Sequence, residues 1–236
     1  MRYATLFFDL DNTIWNFSES SELTIADIYD IYNIKELCGC SYQQFHDTYE
    51  KNNTLAWDKF ELGLTSILEL KISRFKNTFH ELELEIDDKK SLEINDRYLD
   101  ILPTKAITFP ETHEVLEKLK NRFKMHILSN GFQKTQIKKL KLSGLYDYFD
   151  KIITSENANV QKPNPGIIEY ALKLTNSKPS ESVYIGDNFN NDVVCAFNAG
   201  IDSIWVNRKK QPVPDSYARP TYIISSLTEL MSILEP

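Results

Sequence analysis

Short apolar runs, each ending in a polar cluster and separated by stretches of helical length, constrain this chain more than any other feature. The runs cover residues 3–8, 124–128, 151–154, 182–185 and 203–206, with a sixth candidate at 222–224. They are rich in Ile, Val, Phe and Tyr, as expected of strands buried on both faces. The stretches 110–119, 133–142, 165–174, 190–198 and 226–234 read as helices. Val115, Leu116 and Leu119 share one face of the first, with Pro110 in its opening turn. Gly200 is placed to cap the end of 190–198. Strand and helix alternating at this spacing predict an α/β fold, a Rossmann-like, mostly parallel sheet flanked by helices.

Residues 17–104 break the rhythm, with no convincing buried strand. Leu64, Ile67, Leu68, Ile72, Phe75, Phe79 and Leu82 recur at helical spacing within 63–82. Residues 21–32, 41–51 and 87–102 also read as helices. The expected organisation is a core of residues 1–16 and 105–236, with an all-helical cap of residues 17–104 inserted after the first strand. A length of 236 residues suffices for both.

Composition sets limits on partners. A net charge of −7 repels a phosphate backbone, so long nucleic acid is not an expected partner, whereas a small anion can still meet a locally positive site. Cys38, Cys40 and Cys195 form no disulfide framework, and an odd count fits a reducing compartment. The apolar run at 3–8 is too short for a signal peptide, and no stretch approaches a membrane span. A cytoplasmic location with no membrane partner is expected.

Ligands of an open parallel sheet bind outside the carboxyl ends of its strands, where the polar clusters fall. The first is Asp9-Leu10-Asp11-Asn12-Thr13. Two carboxylates just after a buried strand are costly unless hydrogen bonds or a cation offset them, and Mg²⁺ prefers oxygen ligands of this kind. Ser129-Asn130-Gly131 offers a hydroxyl and backbone amides to a phosphate oxygen. Lys162 can neutralise phosphate and carboxylate charge. Gly186-Asp187 and Asp192 add two further carboxylates. Taken singly, each is an ordinary turn or helix cap. Four in order, each following a separate strand, point to one site.

This order resembles the haloacid dehalogenase superfamily of phosphohydrolases over essentially the full chain. Asp9-x-Asp11-x-Thr13 is the most specific element, with Ser129, Lys162 and Gly186-Asp187 plus Asp192 matching the remaining motifs. Residues 53–57 (Asn-Thr-Leu-Ala-Trp), Phe60, Gly63, Arg74-Phe75, Ser129 to Phe132 and Gly144 to Asp150 are similar to the bacterial pyrimidine nucleotide 5′-nucleotidases. The resemblance implies a phosphomonoester hydrolase with Mg²⁺ as cofactor. Asp9 would be the nucleophile, Asp11 the acid and base, and Lys162 and Ser129 the phosphoryl ligands, with Asn130 beside them. Asp9, the Asp11 carbonyl and Asp187 would hold the metal, with Thr13 and Asp192 in support. Asp11 argues against dehalogenation, because dehalogenating members lack an acid there.

The substrate implied is a small phosphorylated metabolite, first a pyrimidine nucleoside monophosphate. Phosphoglycolate or a small sugar phosphate, a sugar-phosphate mutase, and a regulatory binding protein on the same fold are the alternatives. Trp15, Phe17 and Trp57 are candidates to stack on a base, or else to fill the interface between cap and core.

Overall fold

The computed structural model describes residues 2–234, which form two compact units. One comprises the residues up to Phe17 and those from Ala106 onward; the other is Ser18–Lys105.

The chain opens with β1 (Thr5–Phe8), buried along its whole length. Five helices follow: α1 (Phe17–Ile31), α2 (Ile34–Cys38), α3 (Tyr42–Glu61), α4 (Ile67–Glu81) and α5 (Asp88–Ile101). The starts of α3, α4 and α5 are encoded locally. Ser41 and Ser66 close reciprocal capping boxes with Gln44 and Glu69, and the Asp87 side chain accepts from the Lys90 N–H. The expected helix at 41–51 continues ten residues further, to Glu61, because Asn53, Ala56 and Phe60 continue its buried face.

Aromatic rings join α3, α4 and α5. Tyr49 lies 5.0 Å from Phe75, and Phe75 lies 6.0 Å from Tyr98. Arg74 is buried among them; its Nε and Nη2 donate to Asn95 Oδ1 at 3.0 and 2.7 Å, and its guanidinium covers the Tyr98 ring at 4.7 Å.

The rest of the sheet lies in the first unit, in the residues from Ala106 onward. After α6 (Thr112–Leu119) come β2 (Lys124–Ser129), α7 (Gln133–Leu142), β3 (Lys151–Thr154), α8 (Ser155–Ala158) and α9 (Gly166–Thr175). Then follow β4 (Ser182–Gly186), α10 (Cys195–Asn198), β5 (Asp202–Val206), β6 (Tyr222–Ile224) and α11 (Leu230–Leu234). The six strands stand in the order β3-β2-β1-β4-β5-β6 and every pairing is parallel. The fold is the helix-flanked, Rossmann-like α/β sheet that the strand pattern predicts.

On one face of the sheet, Phe7, Leu128, Ile153 and Tyr184 pack against Ile167, Ile168 and Ala171 of α9. Full burial of each large apolar side chain stabilises the fold by about 1.5–3 kcal/mol.

Two details differ from expectation. Pro110 lies in a turn ahead of α6 rather than in its first turn. The helix expected at 190–198 begins as a π-helical turn, Phe189–Val194, and becomes α-helical only at Cys195. Asn188 accepts from the Asn191 N–H at its start, and the wide turn carries Asp192 inward. Such turns recur at functional sites. Among the described residues, no helix is long and apolar enough to cross a membrane.

Candidate active site

Asp9 leaves the end of β1, the central strand, with its backbone N–H donating to Ile185 O of β4 at 2.8 Å. That bond sets the Asp9 side chain beside the loop after β4. Thr13 bridges the two loops, its hydroxyl lying 3.2 Å from Asp9 Oδ2 and from Asp187 Oδ1. Trp205 Nε1 donates to the Asp187 carbonyl and fixes that loop from β5.

Lys162 enters from the segment before α9. Its ammonium donates to Asp9 Oδ1 at 2.8 Å, Asp192 Oδ1 at 2.7 Å and the Tyr184 hydroxyl at 2.8 Å. Asn130 grips the Lys162 backbone in both directions: its Oδ1 accepts from the Lys162 N–H, and its Nδ2 donates to the Lys162 carbonyl. The Asn130 side chain thus holds the Lys162 backbone in place. Asp192 Oδ2 accepts from the Asn188 N–H. Gly186 makes room for it, because a Cβ there would lie 2.3 Å from that oxygen.

One carboxylate oxygen from each of Asp9, Asp187 and Asp192 falls within 4.8 Å of the others. Burial pushes Asp9 up to about 7, with the Lys162 charge opposing the shift and Asp192 and Asp11 adding to it. Asp187 is raised well above the usual carboxylate range by burial and by Asp9 and Asp192. Burial acts to lower Lys162, but Asp192 and Asp9 outweigh it and hold the lysine charged. One ammonium among two buried carboxylates and a half-buried third leaves negative charge uncompensated, and the all-oxygen donor set suits a hard divalent cation such as Mg²⁺.

Asp11 stands at the edge of this cluster. Its Oδ1 meets Lys139 Nζ at 2.7 Å, and its Oδ2 accepts from Gln136 Nε2 at 2.8 Å. The same Gln136 nitrogen donates to Ser129 Oγ at 2.7 Å. Gly131 lets Gln136 approach, since a Cβ there would lie 2.3 Å from that nitrogen. The chain matches the haloacid dehalogenase-like hydrolase family over residues 3–200.

The chain belongs to that hydrolase family. It is 28% identical to the pyrimidine 5′-nucleotidase YjjG of Escherichia coli K12, with 99% of each chain covered. It is 29% identical to the pyrimidine 5′-nucleotidase PynA of Streptococcus pneumoniae, covering 100% of this chain and 96% of that one. Among solved structures, it superposes on the HAD-hydrolase YfnB of Bacillus subtilis, bound to magnesium, with a TM-score of 0.89 at 28% identity and full coverage of both chains.

Asp9, Thr13, Lys162, Asp187 and Asp192 are thus gathered through direct contacts, and Asp11 and Ser129 are joined beside them. Trp15 is fully buried, and its ring faces the Lys139 ammonium at 4.6 Å. Phe17 lies against the same ammonium at 5.2 Å. Trp57 is on α3 of the helical unit, edge-on to Phe60. Four residues that hold the site escaped sequence reasoning: Tyr184, Gln136, Lys139 and Arg208. Arg208 pairs with Glu111 at 2.7 Å and donates to the Thr13 carbonyl at 3.3 Å. Lys139 is one of four lysines on α7, and nothing in the local sequence marks which of them is buried.

Proposed function

We propose that this chain is a Mg²⁺-dependent phosphomonoesterase that acts through an aspartyl-phosphate on Asp9. The observation that carries the reading is the Lys162 ammonium bonded to both Asp9 and Asp192, beside a carboxylate cluster with charge left to balance. A carboxylate oxygen of Asp9 bonds to phosphorus as the ester P–O bond breaks, and Asp11 gives a proton to the departing oxygen. Asp11 then takes a proton from the water that attacks the aspartyl-phosphate, which releases phosphate and restores Asp9. Lys162 and Ser129 bind the phosphoryl oxygens. Asp9, Asp187 and the Asp11 carbonyl would hold Mg²⁺, whose charge offsets that of the phosphoryl group. Phosphoryl transfer depends chiefly on such positioning and charge compensation.

The substrate proposed is a pyrimidine nucleoside 5′-monophosphate. Full-length likeness to two pyrimidine 5′-nucleotidases supports it. The test is phosphate release, with and without Mg²⁺, from dUMP, dTMP, UMP, AMP, phosphoglycolate, hexose phosphates and p-nitrophenyl phosphate. Magnesium-dependent release favouring the pyrimidine nucleotides is expected. Release without that preference would retain the phosphatase and discard the nucleotidase, and no release from any ester would reject both.

A further inference from the structure

Lys139 is an unusual lysine. Lys134 and Lys141 on the same helix are exposed, whereas the Lys139 side chain is only 3% exposed. Lysines ordinarily extend their ammonium to water, and burying one costs several kcal/mol. Packing alone would be served as well by an apolar residue.

Asp11, Trp15 and Phe17, partners of this ammonium, all belong to the segment that follows β1. It meets Asp11 Oδ1 at 2.7 Å and lies over the rings of Trp15 and Phe17 at 4.6 and 5.2 Å. Gln136, one helical turn earlier and fully buried, takes the other Asp11 oxygen at 2.8 Å. Both oxygens of one carboxylate are therefore held from one face of α7. The Asp11 side chain remains 27% exposed, so the carboxylate is fixed without being sealed.

We propose that Lys139 and Gln136 are positioning residues that aim the Asp11 carboxyl at the leaving-group oxygen, making the enzyme competent for esters of poorly departing alcohols. The inference rests on the assignment of Asp11 as acid made above. In that step the Asp9–phosphorus bond forms, the phosphorus–ester oxygen bond breaks, and the Asp11 proton passes to the oxygen that leaves. Such a proton matters when the leaving oxygen is strongly basic, as in a sugar hydroxyl. It matters little for p-nitrophenolate, which departs as a stable anion.

The experiment measures kcat/KM, which reports the steps through irreversible loss of the alcohol, on a nucleoside 5′-monophosphate and on p-nitrophenyl phosphate. Lys139→Met is expected to lower the value on the nucleotide by about 10²-fold and that on p-nitrophenyl phosphate by roughly tenfold less. A merely structural lysine would lower both equally; equal loss, no loss, or a gain overturns the proposal. Where Lys139→Met does not fold, Gln136→Leu is judged by the same criteria. Asp11→Asn separates the two layers. If it is not selective for the nucleotide, the acid assignment itself has failed; if it is selective and Lys139→Met is not, only the positioning inference has failed.

Discussion

The Lys162 ammonium and the Asp192 carboxylate meet at 2.7 Å with both side chains at most 3% exposed. An isolated ion pair at that depth contributes little net stability, because desolvation offsets much of the attraction. Its effect is directional: Asp192, locked by the Asn188 N–H, draws Lys162 to a fixed point beside Asp9. Asp192→Asn keeps the shape and removes the charge. Activity is expected to fall about 10–100-fold, as for loss of a supporting contact in a metal site, with the fold intact by circular dichroism. Activity within twofold of the parent would show that Lys162 needs no such anchor.

Asp9→Asn separates function from stability. Turnover should be lost, since an amide is no nucleophile toward phosphorus under these conditions. The same change removes a buried carboxylate from a cluster short of positive charge. The variant's melting temperature in metal-free buffer is therefore expected to equal or exceed that of the parent, as when a strained site is relaxed. A clear drop in melting temperature would count against uncompensated charge at the site.

Protons and the proposed Mg²⁺ would compete for the same oxygens. Asp9 shifts from 3.8 to about 7 on folding, so between those values the unfolded chain gives up a proton that the folded chain keeps. Without a cation, this group makes stability fall as pH rises through that window. The thermal shift on adding Mg²⁺ should accordingly be larger at about pH 7.5 than at about pH 5. Equal shifts at the two pH values would argue against a cation bound on Asp9.

His126 titrates in the opposite sense. It is buried on β2 beside the Phe7 ring, both ring nitrogens lack a partner, and burial lowers it from 6.5 to about 4. Below the unfolded value the unfolded chain takes up a proton that the folded chain refuses, so stability is lost as pH falls from about 6.5 to about 4. The contribution is at most about 3 kcal/mol. His126→Leu should reduce the parent's loss of stability between those pH values, read by urea unfolding. Parallel curves for the two proteins would refute the assignment.

The strands were legible because burial on both faces leaves an apolar signature, and the first and fourth polar clusters because acidic residues rarely follow such strands without a reason. The helical nature of residues 18–105 was legible from periodicity, although the end of α3 was not. Helix α3 runs past the expected end, where Asn52 donates to Glu81 and Asn53 accepts from Arg74, both on α4 and distant in sequence. The fastening of the site was hidden for a related reason. Gln136, Lys139, Tyr184 and Arg208 are ordinary residues of helices, strands and loops, and only the register of the sheet and the phase of α7 select them. Asn130 was visible in sequence, but its reciprocal grip on the Lys162 backbone depends on a segment thirty-two positions away.

The place of β1 in the middle of the sheet bears on synthesis. The strand carrying Asp9 is made first, yet its neighbours β2 and β4 are made far later. The Asp9 carboxylate meets Lys162 across 153 positions, and Thr13 reaches Asp187 across 174. A nascent chain that has not cleared the ribosome past β4 holds Asp9 without Asp187 and Asp192, and so without the complete carboxylate cluster. Catalytic competence therefore emerges late in translation, when the last parallel neighbour docks, and unfinished chains are born inactive.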